Sequence, residues 1–90
     1  MIKRCWLKIY GTVQGVGFRF SAQKKARQLA IVGLARNEPD GSVYIEAQGE
    51  ATVLDDFIQW CSHGPRWAKV REINYGFFEK PSNNKDFLIY

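Results

Sequence analysis

The chain has 90 residues, 46% apolar and 14% aromatic, enough for one hydrophobic core and too rich in apolar residues for a disordered chain. Its net charge of +4 hides an asymmetry: residues 1–37 carry eight Lys or Arg and no acid, whereas residues 38–90 carry five bases and nine acids. Two cysteines without metal-ligand spacing, one histidine and no apolar run of membrane-spanning length argue against a disulfide framework, a zinc shell or a membrane helix, and lead to the expectation of a soluble protein in a reducing, cytoplasmic setting.

Alternation from Cys5 to Tyr10, with Cys5, Leu7 and Ile9 facing one way, predicts a first strand. Gly11-Thr12-Val13-Gln14-Gly15-Val16-Gly17 follows, after which Phe18, Ala22, Ala26 and Leu29 recur at helical spacing. That helix should end near Ile31, with Gly33 either terminating it or opening the second strand, Leu34 to Glu38. Pro39-Asp40-Gly41 marks a tight turn, and Ser42 to Gln48 returns with Val43, Ile45 and Ala47 on one face. Gly49-Glu50 leads into a second helix whose Val53, Leu54, Phe57, Ile58 and Cys61 form an apolar stripe. His63-Gly64-Pro65 stops it, with His63 favoured by the negative end of the helix dipole. A fourth strand runs from Ala68 to Phe78; its inward set shifts from Val70 to Ile73, Tyr75 and Phe77, predicting a bulge near Arg71-Glu72. Lys80 to Lys85 is a polar loop, and Phe87 to Tyr90 a short last strand. Trp6, Trp60 and Trp67 read as core or rim packing.

The order implies an α+β fold over residues 1–90 as a single domain. It is a ferredoxin-like βαββαβ sandwich with an antiparallel sheet in the order 4-1-3-2, two helices on one face, and a short C-terminal strand. Helical crossover makes strands one and two parallel, so their C-terminal ends share an edge of the sheet. The glycine loop follows strand one and Asn37 ends strand two, which brings the two together. The same geometry sets Cys5 at the opposite edge from Cys61 and argues against a disulfide.

The loop itself reads as an anion pocket. Glycines let backbone amides face a bound group, and a helix N-terminus adds free N–H donors and positive potential. Arg19 at that positive end is favourable only if an anion neutralises both. Its planar fork meets two phosphate oxygens at once, and the amides from about Gln14 to Arg19 would hold the others. The spacing matches neither a Walker A motif nor a dinucleotide fingerprint. Ser21 reads as a helix-bonding residue. With no Cys, His, Asp or Glu in the loop, a covalent phosphoenzyme is disfavoured, and no carboxylate cluster suggests magnesium.

Taken together, Gln14-Gly15-Val16-Gly17-Phe18-Arg19 resembles the signature of the acylphosphatase family. The segment from Gly33 through Asn37 and the Pro39-Asp40-Gly41 turn to Val43 resembles that family's second motif, and the likeness spans nearly the whole chain. The resemblance implies hydrolysis of the carboxyl–phosphate bond of acyl phosphates by metal-independent, in-line attack of water on phosphorus. Arg19 would bind the phosphate beside the amides of Gln14, Gly15, Val16, Gly17 and Phe18, and Asn37 would position the water. It implies no cofactor, a small-molecule acyl phosphate as the partner without nucleic acid or membrane, and a monomer. Leu34, Ala35 and Asp86 depart from the family's usual residues. One alternative is an RNA-binding module of the same topology, although Ser42 to Ala47 lacks the basic-aromatic motif such a module carries on its third strand. The other is a catalytically silent or carbamoyl-phosphate-handling relative, of the kind that forms part of a larger hydrogenase-maturation protein.

Overall fold

A computed structural model describes all 90 residues. The elements are β1 (Ile2–Thr12), α1 (Phe18–Gln28), β2 (Val32–Asn37), β3 (Val43–Glu50), α2 (Ala51–Cys61), β4 (Lys69–Phe78) and β5 (Phe87–Ile89). They form one five-stranded sheet in the order β4-β1-β3-β2-β5. The first four strands stand in the expected order, and β5 adds a parallel edge beside β2, which makes the sheet mixed. Both β1 and β2 run antiparallel to β3, and are therefore parallel to each other.

Alternation dictates which side chains enter the core. Cys5, Leu7, Ile9, Val43, Ile45, Ala47 and Ala35 are buried on one face, against Phe18, Ala22 and Ala26 of α1 and Leu54, Phe57 and Cys61 of α2. Phe57 sits edge-on to Phe87 at 6.0 Å and stacked near Trp60 at 6.2 Å, joining α2 to the edge strand. Each such buried aromatic contributes about 2–3 kcal/mol by removal from water. The opposite face is polar and cross-linked. Glu46 accepts from Arg4 Nη2 at 2.7 Å and from the Tyr44 hydroxyl at 2.8 Å, while Arg36 covers the Tyr44 ring at 4.6 Å.

Several boundaries differ from the expectations. Helix α1 ends at Gln28 because Ala30 adopts a left-handed conformation at φ 55, a position that glycine usually marks. Ile31 N–H then reaches back to Ala26 O at 2.8 Å and Ala30 N–H to Arg27 O at 3.3 Å, closing the helix while Ile31 enters the core. Gly33 consequently lies inside β2, at φ 153, where an added Cβ would come within 1.8 Å of Glu46 O. Gly49 and Glu50 belong to β3, paired with Lys3 and Ile2 of a longer β1. The bulge is present: Tyr10 pairs with Glu72 and Gly11 with Val70, leaving Arg71 as the extra residue. Tyr75 and Phe77 do lie opposite Leu7 and Cys5 on the covered face. They remain half exposed because the helices lie over β1, β3, β2 and β5 and stop short of β4.

Trp67 is exposed rather than packed in the core, whereas Trp60 packs against Phe18. Cys5 and Cys61 are free thiols buried in one core cluster, so the expected separation to opposite edges is corrected while the unpaired state stands. Burial pushes the Cys5 thiol up to about 11, and burial followed by the neighbouring Cys5 raises Cys61 as well.

Candidate active site

The sheet register decides what meets at the site. Ile9 pairs with Val43, and Val43 with Asn37, so the end of β1 and the end of β2 lie on the same edge. Past the bulge the chain leaves β1 at Thr12 and crosses that edge through residues 14–17 before entering α1. Gly15 and Gly17 both take left-handed φ, 73 and 78, in open space. Those values turn successive amides to one side, the arrangement of an anion-binding nest. Gly17 is also the N-cap of α1 and supplies no side-chain cap. No backbone N–H from Gly15 to Phe20 donates to another protein group. Six donors at a helix N-terminus, with no acidic residue in the first turn, concentrate positive potential at one point.

These amides surround a cavity of about 170 Å³ lined by Val13, Gly15, Gly17, Phe18, Arg19, Phe20, Asn37 and Ile89. Arg19 and Asn37, twenty or so residues apart in sequence, thus share one wall-to-wall space. Arg19 is held from the far side: its Nη1 donates to Tyr90 O at 2.6 Å, at the end of the β5 edge. One nitrogen of the fork is committed and the others remain available. Asn37 is exposed, and its side-chain amide has no protein partner. Phe18 is buried beneath the loop, its ring 5.6 Å from Trp60, and fixes where the first turn of α1 begins.

Two residues of the expected cradle do other work with their side chains. Gln14 Nε2 donates to Glu38 O at 2.8 Å and to Ser42 O at 2.9 Å, so its side chain ties the loop to the β2–β3 turn that carries Asn37. Val16 packs against the core rather than lining the cavity. Below them the turn is rigid: Asp40 Oδ1 accepts from the Ser42 N–H at 2.9 Å and from the Ser42 hydroxyl. Those bonds, with Lys8 3.4 Å away, hold the Asp40 carboxyl below the usual range.

Sequence reasoning missed Phe20, Ile89 and Tyr90. Phe20 carried a signal, since it falls off the Phe18-Ala22-Ala26-Leu29 stripe and could not be core. Ile89 and Tyr90 carried none, because only the pairing of β5 with β2 brings them there. Asp86, a departure from the family pattern, accepts from Arg27 Nε and Nη2 at 3.1 and 2.9 Å and from its neighbour Phe87 N–H. Those bonds, Arg27 first, hold its carboxyl below the usual range. With Gln23 Nε2 donating to Phe87 O at 2.8 Å, the pair fastens α1 to β5.

No side chain lining the cavity is a carboxylate, imidazole or thiol. The lining therefore presents hydrogen-bond donors and a guanidinium and offers no protein nucleophile or base. Comparison with known proteins gives the same direction. The family model described as Acylphosphatase matches residues 5–89. An acylphosphatase of Caldanaerobacter subterraneus subsp. tengcongensis is 41% identical over 90 residues, covering 100% of both chains. One from Mannheimia succiniciproducens is 47% identical over 73 residues, 81% of this chain and 80% of that one. Among solved structures, acylphosphatase from Bacillus subtilis superimposes with a TM-score of 0.94 at 30% identity, covering 100% of this chain and 99% of that chain.

Proposed function

The chain belongs to the acylphosphatase family and hydrolyses acyl phosphates, and from that premise we propose how its residues divide the work. The loop amides from Gly15 to Phe20 and the Arg19 fork hold the three non-bridging oxygens of the phosphoryl group. Asn37, through its free side-chain amide, orients a water for attack on phosphorus in line with the bond from phosphorus to the acyl oxygen. The observation that carries this reading is the convergence of undonated amides, Arg19 and Asn37 on one cavity of about 170 Å³.

In the step proposed, the water oxygen bonds to phosphorus as the bond from phosphorus to the acyl oxygen breaks. The acyl oxygen leaves with its electron pair as a carboxylate, and the water's proton passes to a phosphoryl oxygen of the substrate. A carboxylate is a good leaving group, so no general acid is required. Catalysis rests on orientation and on stabilising the charge that spreads over the equatorial oxygens. Gln14 acts as a brace, keeping the loop that binds phosphate in register with the turn that holds Asn37. Arg19 is pre-oriented by Tyr90 O, which limits the rotamer freedom lost on binding.

The same reading takes the protein as a cytoplasmic monomer acting on a small molecule over one domain, residues 1–90. Two buried free thiols support a reducing compartment, and no helix is long and apolar enough to cross a membrane.

The test is hydrolysis of acetyl phosphate in excess chelator. Turnover should persist in chelator and fall about 10²–10³-fold in Arg19→Lys, the loss expected for one removed charge-stabilising donor set. Asn37→Ala should lower kcat with little change in KM. An Asn37→Ala protein with unaltered kcat would remove the water-positioning role, and turnover abolished by the chelator would remove the metal-independent step.

A further inference from the structure

The catalytic cavity, about 170 Å³, is shallow enough that a bulky acyl group extends past its mouth. The structure shows what waits there. Phe20 is 75% exposed, an unusual state for a phenylalanine, and it lines two depressions at once. One is the catalytic cavity; the other is an open basin of about 600 Å³ lined by Phe20, Ser21, Gln23, Lys24, Arg27 and Gln28 on the outer face of α1. Phe20 is the one residue that lines both spaces, so its ring stands between them.

Charge on this face is uneven. Of the eight bases in residues 1–37, four are paired with acids from the second half of the chain: Arg4 with Glu46, Lys8 with Asp40, Arg27 with Asp86 and Arg36 with Glu38. The four left over are Lys3, Arg19, Lys24 and Lys25, and three of those are on α1. Arg19 is in the catalytic cavity and Lys24 is in the basin. Folding thus cancels half of the asymmetry, and three of the four bases that remain lie on α1, the helix that begins at the site. Phe20 and Lys24 are four residues apart, one above the other on the helix surface, separated by about one helical turn, ~6 Å.

We propose that Phe20 and Lys24 form the subsite for the acyl group, and that it selects acyl phosphates whose acyl part carries a second anionic group, a carboxylate or a phosphate, on the far side of its apolar part from the scissile bond. The inference rests on the acyl phosphate reading above. The apolar part of the acyl group lies on the Phe20 ring, and the second anion meets the Lys24 ammonium. Arg27, already forked onto Asp86, shapes the basin without offering free charge. Lys24 touches no reacting atom; it acts on binding, so its effect belongs in KM.

Rigid aromatic acyl phosphates test this without the cyclisation that flexible diacids undergo. The probes are acetyl phosphate, benzoyl phosphate, 4-carboxybenzoyl phosphate and 4-phosphonobenzoyl phosphate. The wild-type protein should favour the two para-anionic substrates over benzoyl phosphate in kcat/KM, and the preference should shrink as salt is raised. Lys24→Gln should lower that preference about three- to fivefold, the scale of one exposed charge pair, through KM, and leave benzoyl phosphate turnover unchanged. Phe20→Ala should cost more with benzoyl phosphate than with acetyl phosphate. Lys24 is exposed, so its variant folds. A larger preference for the phosphonate assigns a phosphate-bearing acyl group, and a larger one for the carboxylate assigns a dicarboxylic one. Equal loss in Lys24→Gln for neutral and anionic substrates, or no loss with either, overturns the subsite alone. Failure of the wild type to hydrolyse acetyl phosphate overturns the subsite and the acyl phosphate reading together.

Discussion

Replacing Gln14 with methionine tests whether the loop and the Asn37 turn act as one unit. Methionine keeps nearly the same length and apolar stem but donates no hydrogen bond. Two neutral side-chain-to-backbone bonds, of 2.8 and 2.9 Å, disappear. Such bonds contribute about 0.5–1.5 kcal/mol each, and orphaned acceptors add to the loss. Here both acceptors keep a second donor: Glu38 O still accepts from Gly41 N–H at 3.1 Å, and Ser42 O from Glu38 N–H at 2.9 Å. The penalty for unsatisfied carbonyls is therefore small, and the expected destabilisation is about 1–2 kcal/mol. For a domain of this length that amounts to a fall in Tm of about 5–15 °C. The effect on turnover should exceed the effect on folding. Loosening one wall of the cavity from the other by about 1 Å lowers kcat by up to about a hundredfold. Urea unfolding gives the first quantity, and acetyl phosphate kinetics, read separately for kcat and KM, gives the second. A Gln14→Met protein within about 0.5 kcal/mol of wild type, the range of an indifferent surface change, and with unaltered kcat would refute the brace.

Gly33→Ala should be far more damaging, although it lies outside the cavity. Its Cβ would meet Glu46 O at 1.8 Å in a backbone region that L residues avoid, so β2 must part from β3. Strain and overpacking together cost about 3 kcal/mol or more, read as loss of the folded baseline in urea titration; a midpoint near wild type would show that β2 can shift. Alkaline stability should follow the buried thiols. A thiol whose folded value is raised to about 11 stabilises fully below the unfolded value near 9, and that contribution is lost as pH climbs through the folded value. At pH 10 the Cys5 thiol should have cost about 1 kcal/mol, with Cys61 acting in the same direction, and a Cys5→Ala, Cys61→Ala protein should show a flatter urea midpoint between about pH 8.5 and 10. An unchanged slope in that variant would place the titration elsewhere.

How much of this was written in the chain depends on the range of the interaction. Local periodicity alone set the two helices and four main strands, because alternation and the 3.6-residue repeat report which face is buried without knowing what buries it. The Gly15–Arg19 pattern announced a loop of free amides at a helix start, since left-handed glycines before a helix leave amides free whatever the rest of the fold. The order of elements even placed Asn37 on the same edge, because a helical crossover has one hand. Endings were less legible. Ala30 closes α1 in a conformation that its side chain disfavours, and the closing bond from Ile31 N–H to Ala26 O together with the burial of Ile31 compensates, so no glycine marks it.

Side-chain commitments were decided by tertiary structure alone. Gln14 reads as a cradle residue from its neighbours, yet its amide finds two carbonyls 24 and 28 residues away. Arg19 is oriented by Tyr90, 71 residues on, because β5 pairs with β2. Charge shows the same division. The sequence determines that the first 37 residues hold eight bases and no acid, a fact of composition. Which bases stay free depends largely on who meets whom in space: Arg4, Lys8 and Arg27 meet acids far along the chain, Arg36 meets its near neighbour Glu38, and Arg19, Lys24 and Lys25 are left on α1. A hydrogen bond or ion pair acts over a few ångströms, and only the fold brings residues so distant in the chain within that reach.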